Sequence, residues 1–164
     1  MGALQWAVRL SVACVFATGA SIAEAEELRY SWSQLPLFGE FQSAQVHGLN
    51  EAGSITGALG ASALPQTGAV WKEQGVTVLP TAYSFARGIT AGGIVGGYVY
   101  DPNLRVTRAA LWDAGGGLRY LDQSIDDSEV RAVSDAGWAV GFTTPTSYAT
   151  RATLWNLSTG ESTI

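Results

Sequence analysis

His47-Gly48-Leu49-Asn50-Glu51-Ala52-Gly53-Ser54-Ile55-Thr56-Gly57 is answered further along the chain by two stretches on the same plan. The second runs Arg87-Gly88-Ile89-Thr90-Ala91-Gly92-Gly93-Ile94-Val95-Gly96, one residue shorter in its first turn when the closing glycines are matched. The third runs Arg131-Ala132-Val133-Ser134-Asp135-Ala136-Gly137-Trp138-Ala139-Val140-Gly141. After a variable loop each leads into a small-apolar-Trp segment: Ala69-Val70-Trp71, Ala110-Leu111-Trp112 and Thr153-Leu154-Trp155. The tryptophans are 41 and 43 residues apart and the closing glycines Gly57, Gly96 and Gly141 are 39 and 45 apart. Two landmarks keeping one period mark an internal repeat, and a period of about forty residues points to stacked supersecondary units.

Each copy reads as strands. In Asn50-Glu51-Ala52-Gly53 and Ser134-Asp135-Ala136-Gly137 the first side chain accepts a backbone hydrogen bond. Gly53 and Gly137 supply the positive φ that the returning strand requires. A second Gly-ended turn follows each repeated tryptophan, through Gly75, Gly117 and Gly160. A Leu-rich strand comes after it, Val76 to Leu79 in the first copy and Leu118 to Leu121 in the second. No stretch past the leader holds helical periodicity. The class is therefore all-β, with three antiparallel four-stranded repeat units at about 44–85, 86–128 and 129–164. Four strands in about 40–45 residues is the size of a propeller blade. The third copy reaches Ser162-Thr163-Ile164 where its fourth strand would begin. Residues 28–37, ending Leu35-Pro36 as the first copy ends Leu79-Pro80, are expected to supply that outer strand.

The turn of Asn or Ser closed by Gly, the alternating strand ending in Gly, and the Leu-Trp or Val-Trp strand before a second Gly turn resemble the bacterial extracellular HAF repeat family. The resemblance spans about Leu28 to Thr163, with Val or Leu here where the family often has Phe before Leu-Trp. It implies export and a β-repeat architecture, and no reaction.

Ahead of the repeats, Met1 to Arg9 carries one positive charge, Leu10 to Ile22 is apolar, and Ala23-Glu24-Ala25 is a small-x-small site. This is the pattern of a signal peptide cut after Ala25, leaving a β-repeat domain from 26 to 164. The expected location is outside the cytoplasm: extracellular, cell-surface or periplasmic. The apolar run is short of the roughly 20 residues a membrane span needs, and the mature chain has none. Cys14, the one cysteine, falls in the leader, so the mature chain has no disulfide, thiol nucleophile or Cys-based metal site. A formal net charge of -5 without basic clusters argues against nucleic acid.

Little chemistry stands out. His47 is the only histidine, and its repeat equivalents Arg87 and Arg131 mark a place for any long polar side chain rather than a catalytic base. No metal or cofactor motif is present. Asp122 to Glu129 is acidic and lies between copies, where a solvated connector is expected and a calcium site is the lesser reading. Asp101, Asp126 and Glu129 are the carboxylates a polysaccharide-active enzyme would have to use. Trp71, Trp112 and Trp155 recur at one repeat position and read as packing between units. Ligand contact is better sought where the copies differ, at Tyr98, Tyr100, Arg105 and Tyr148, whose rings and guanidinium suit a sugar or an acidic glycan. The expected function is a non-catalytic exported scaffold or binding module. The alternatives are the leading part of a longer repeat protein and the enzyme. Expected partners are a second copy completing a ring, further repeats, or a glycan or cell-surface polymer.

Overall fold

The computed structural model describes residues 31–73, 75–121, 127–145 and 149–163. Cys14 and the expected cleavage point after Ala25 lie outside the described residues. Among the described residues there are twelve strands and no helix. Contacts divide the chain into Met1–Ser33 and Gln34–Ile164, and all twelve strands belong to the second unit.

The first sheet holds β1 (Ser43–Leu49), β2 (Ile55–Ala61), β3 (Leu64–Lys72) and β4 (Gly75–Ala82). The second holds β5 (Ser84–Ile89), β6 (Val95–Asp101), β7 (Val106–Trp112) and β8 (Leu118–Tyr120). The third holds β9 (Asp127–Ser134), β10 (Trp138–Thr144), β11 (Arg151–Asn156) and β12 (Ser162–Thr163). In every sheet the strands lie side by side in chain order, all antiparallel. These are three propeller-like blades in succession, and they do not close into a barrel.

The turns explain the hairpins. Asn50 Oδ1, Thr90 Oγ1 and Ser134 Oγ accept from the amides of Ser54, Ile94 and Trp138 at 2.9, 3.0 and 3.3 Å. Each turn is closed by a glycine amide, Gly53, Gly93 or Gly137, donating back to the carbonyl at its start. Those glycines have φ of 74°, 85° and 82°, where a Cβ is costly.

The sheets pack face to face, with β5 lying across β2 and β3, and β9 across β6 and β7. Trp112 is buried with Val70 and Leu79 of the first sheet, and Trp155 with Leu111 and Leu121 of the second copy. Trp71 is buried with Leu59 and Ala69, and Leu35 and Phe41 pack against them. Each tryptophan thus shares a cluster with the leucine that precedes its own blade: Leu35, Leu79 and Leu121. Burying such an indole removes a large apolar area from water, worth about 3 kcal/mol or more. Two hydroxyls add fixed bonds between blades. Ser84 Oγ accepts from the Gly68 amide and Ser128 Oγ from the Ala109 amide, both at 2.9 Å and both buried.

Three expectations change. The ladder pairs Gly57 with Ala69, Gly97 with Ala110 and Gly141 with Thr153, so the closing glycine of the second copy is Gly97 and its turn is full length. A Cβ at Gly57, Gly97 or Gly141 would overlap the carbonyl oxygen of Gln45, Phe85 or Glu129. Gly96 occupies the place of Thr56 and Val140, and its missing side chain makes room for Val130 and Val133 of the third sheet. Residues 31–37 form no strand. The place beside β11 is taken by β12, where Trp155 pairs with Ser162 and Leu154 with Thr163. The Pro36 carbonyl instead accepts from Trp71 Nε1 at 2.8 Å. Finally, Asp127, Ser128 and Glu129 are the start of β9 and not a solvated connector: Ser128 and Glu129 are buried. Residues 122–126 lie outside the described residues.

Candidate functional site

The first strand of each sheet carries one residue that the ladder skips. Pairing jumps from Val46 to Gly48 in β1 and from Ala86 to Gly88 in β5. In β9 it passes from Ala132 to Val130. The skipped residues are His47, Arg87 and Arg131, the equivalent long polar positions of the three copies. A bulge turns its side chain off the regular pleat, and here the three side chains are drawn into one file across the blades. Arg87 Nη1 lies 3.2 Å from His47 Nδ1. Arg87 Nε donates to Glu129 Oε1 at 2.7 Å, and Arg131 Nε stands 3.3 Å from the same oxygen.

The electrostatics follow from this crowding. Burial, and then the Arg87 guanidinium, hold the His47 imidazole below its ordinary pKa, the Glu129 carboxylate opposing only in part. His47 is therefore neutral at pH 7, and its Nε2 is buried without a hydrogen-bond partner among the described residues. Two guanidiniums then face one carboxylate, leaving the file with one net positive charge.

Aromatic rings flank it. The Phe85 and Tyr98 rings stack at 4.5 Å with planes 12° apart, and the Arg87 guanidinium lies 5.6 Å from the Tyr98 centroid. Burial raises the pKa of the Tyr98 phenol, so it stays protonated at neutral pH. Tyr83 and Tyr100 meet edge to face at 6.3 Å. Tyr83 sits at a φ of 55° in the one-residue link between β4 and β5, and its carbonyl accepts from the Tyr100 amide at 2.8 Å. Alternation in β6 puts Tyr98 and Tyr100 on one face, and cross-strand pairing puts Phe85 beside Tyr98. The four rings make one surface on the second blade. At the same positions the first copy has Ser43, Gln45, Ala58 and Gly60, and the third has Asp127, Glu129, Phe142 and Thr144.

Of the expected ligand residues, Tyr98 and Tyr100 therefore fall on one surface, although in a strand rather than a loop. Arg105 does not join them. It lies exposed in the β6–β7 turn at a φ of 58°, with its amide donating to the Asp101 carbonyl at 2.7 Å. Tyr148 lies outside the described residues. Arg108 rests over the Tyr120 ring at 5.7 Å. Of the carboxylates considered for catalysis, Asp101 Oδ1 accepts from the Asn103 and Leu104 amides of its own turn, while Glu129 is held by Arg87. Asp126 lies outside the described residues. Tyr83 and Phe85 are the members of the site that sequence reasoning missed, while it gives Arg87 only a repeat position and Glu129 only the part of a connector or catalytic carboxylate. The signal for Phe85, Arg87 and Glu129 is the recurrence of Ser84-Phe85-Ala86-Arg87 as Ser128-Glu129-Val130-Arg131.

Comparison with protein-family models, with curated proteins and with solved structures found no match.

Proposed function

We propose that this chain is an exported, non-catalytic β-repeat module that binds a sugar polymer through the Tyr83, Phe85, Tyr98 and Tyr100 surface. The observation that carries the reading is the gathering of four rings on one face of one blade, where the first blade has only small or polar residues and the third a single ring, Phe142. Residues needed for stacking recur in all copies. A feature present in one copy alone is free to serve something other than packing. Aromatic faces offer flat apolar area to a sugar ring at small entropic cost, since each is held by two torsions. The adjoining Arg87 and Arg131, with one carboxylate between them, favour an acidic polymer over a neutral one. The apolar leader and the resemblance to the HAF repeats support placement outside the cytoplasm. The same file counts against catalysis, because its carboxylate is tied to two arginines instead of standing by as an acid or base.

Calorimetric titration with neutral and uronic-acid oligosaccharides tests this. The expected result is binding of the acidic series, weakened about tenfold by Tyr83→Ala or Tyr100→Ala and by 0.5 M salt. Absence of binding by the folded protein to both series, or binding that ignores both substitutions, would refute it.

A further inference from the structure

The two internal joints between blades are built from the same positions, and the terminal blades expose one half of that joint each. On the side facing the preceding blade, the second and third sheets bury Ala86 with Ile89, and Val130. Their equivalents in the first sheet, Val46 and Leu49, are 54% and 69% exposed. On the side facing the following blade, the first two sheets bury Thr56 with Val70, and Gly96 with Leu111. Their equivalents in the third sheet, Val140 and Leu154, are 46% and 37% exposed, beside Trp138 at 41%. Terminal units of a repeat stack are ordinarily capped by a polar outer face. Here the outer face of the third blade presents Trp138, Val140 and Leu154, an apolar surface of the kind that marks a contact.

We infer that the outer face of the third blade docks on the outer face of the first blade of a second copy of this chain. Only a chain carrying this repeat presents the matching half of the joint, and a second copy presents it by construction. The contact is heterologous, joining different faces, so it either closes into a ring or runs on as a filament. Propellers run from about four to eight blades. Two sets of these three blades make six, which falls within that range. The register that sets Arg87 against Glu129 brings Arg131 opposite Gln45 of the second copy. The joint between copies is looser than the internal ones for two reasons. Ala132 stands where Gly48 and Gly88 let the sheets approach closely. Ala44 stands where Ser84 and Ser128 place a hydroxyl on an amide of the preceding sheet, so the Ala152 amide receives none.

That last difference supplies a test that misfolding cannot imitate. The chain as secreted by an expression host is measured by sedimentation equilibrium, with strand content checked by circular dichroism. The wild type is expected at the mass of two copies. Leu49→Lys and Val140→Lys are each expected at the mass of one, and their mixture, which holds one intact joint and one doubly substituted joint, is expected to pair more tightly than either variant alone and less tightly than the wild type. Ala44→Ser adds one hydrogen bond at each of the two joints of the closed pair and is expected to lower the dissociation constant about five- to a hundredfold. A wild type that stays at one copy up to 100 μM, a two-copy form indifferent to Leu49→Lys, or Ala44→Ser leaving the constant unchanged would overturn the inference.

Discussion

Arg87, the bulge residue of the second blade, donates through Nε to Oε1 of Glu129 on the first strand of the third at 2.7 Å. The carboxylate is buried while the guanidinium is about one-fifth exposed. Removing Arg87 leaves the buried Glu129 carboxylate with only the more exposed Arg131, which is costly, whereas removing both charges is much less so. Arg87→Met is therefore expected to destabilise by about 2–4 kcal/mol, and Glu129→Gln by less. In the double variant, part of the Arg87→Met loss returns. Denaturant melts of the cycle check this, and strictly additive effects would mean the pair is not coupled.

His47 titrates out of step with a free histidine. Its folded pKa lies below the ordinary 6.5, so between the two values the unfolded chain holds more protons than the folded one. The stability this residue contributes is complete above about pH 6.5 and is lost as pH falls toward the folded value. His47→Gln is expected to flatten that part of the stability profile. An equal acid slope in the variant would assign the effect to other groups.

Gly96 and Gly97 are adjacent and differ in what an added methyl meets. At Gly97 it strikes the Phe85 carbonyl, which belongs to the backbone of the paired strand. At Gly96 it strikes the γ-methyls of Val130 and Val133, which can turn aside. Gly96→Ala is expected to cost about 1–3 kcal/mol, as overpacking does, and Gly97→Ala distinctly more or the fold itself. Thermal melts that ranked them the other way would restore Gly96 as the closing glycine.

Trp71 uses both its area and its N–H. Trp112→Ala and Trp155→Ala are expected to cost about 3–5 kcal/mol each. Trp71→Phe keeps most of the area but releases the Pro36 carbonyl, at about 1 kcal/mol. Limited proteolysis should then cut within residues 34–41 faster than in the wild type. Unchanged cleavage would show that Leu35 and Phe41 hold the segment unaided.

The blades were legible in the sequence because their signals are local. The turn bonds accepted by Asn50 Oδ1 and Ser134 Oγ and the turns at Gly53 and Gly137 span only four residues, and the spacing of Trp71, Trp112 and Trp155 needs no knowledge of packing. What escaped depends on partners about forty residues away. Glu129 looks like a loop acid until Arg87 is beside it, and the bulges that aim His47, Arg87 and Arg131 leave no mark on alternation. The Gly96-Gly97 pair allowed a one-residue slip that strand pairing removes. Leu35-Pro36 resembles Leu79-Pro80 for a sound reason, since Leu35 packs against the Trp71 cluster as Leu79 joins that of Trp112. It does so without forming the outer strand that the likeness suggested.

Stacking of each blade on the next is tested most directly by native-state hydrogen exchange at two amides, Gly68 and Ala109. Both donate across a joint, to Ser84 Oγ and Ser128 Oγ, rather than within their own sheet. Blades packed as described protect both amides nearly as well as the central strands, and Ser84→Ala and Ser128→Ala each release only their own. Free exchange at Gly68 and Ala109 while the amides of β2 and β6 stay protected would contradict the stacking.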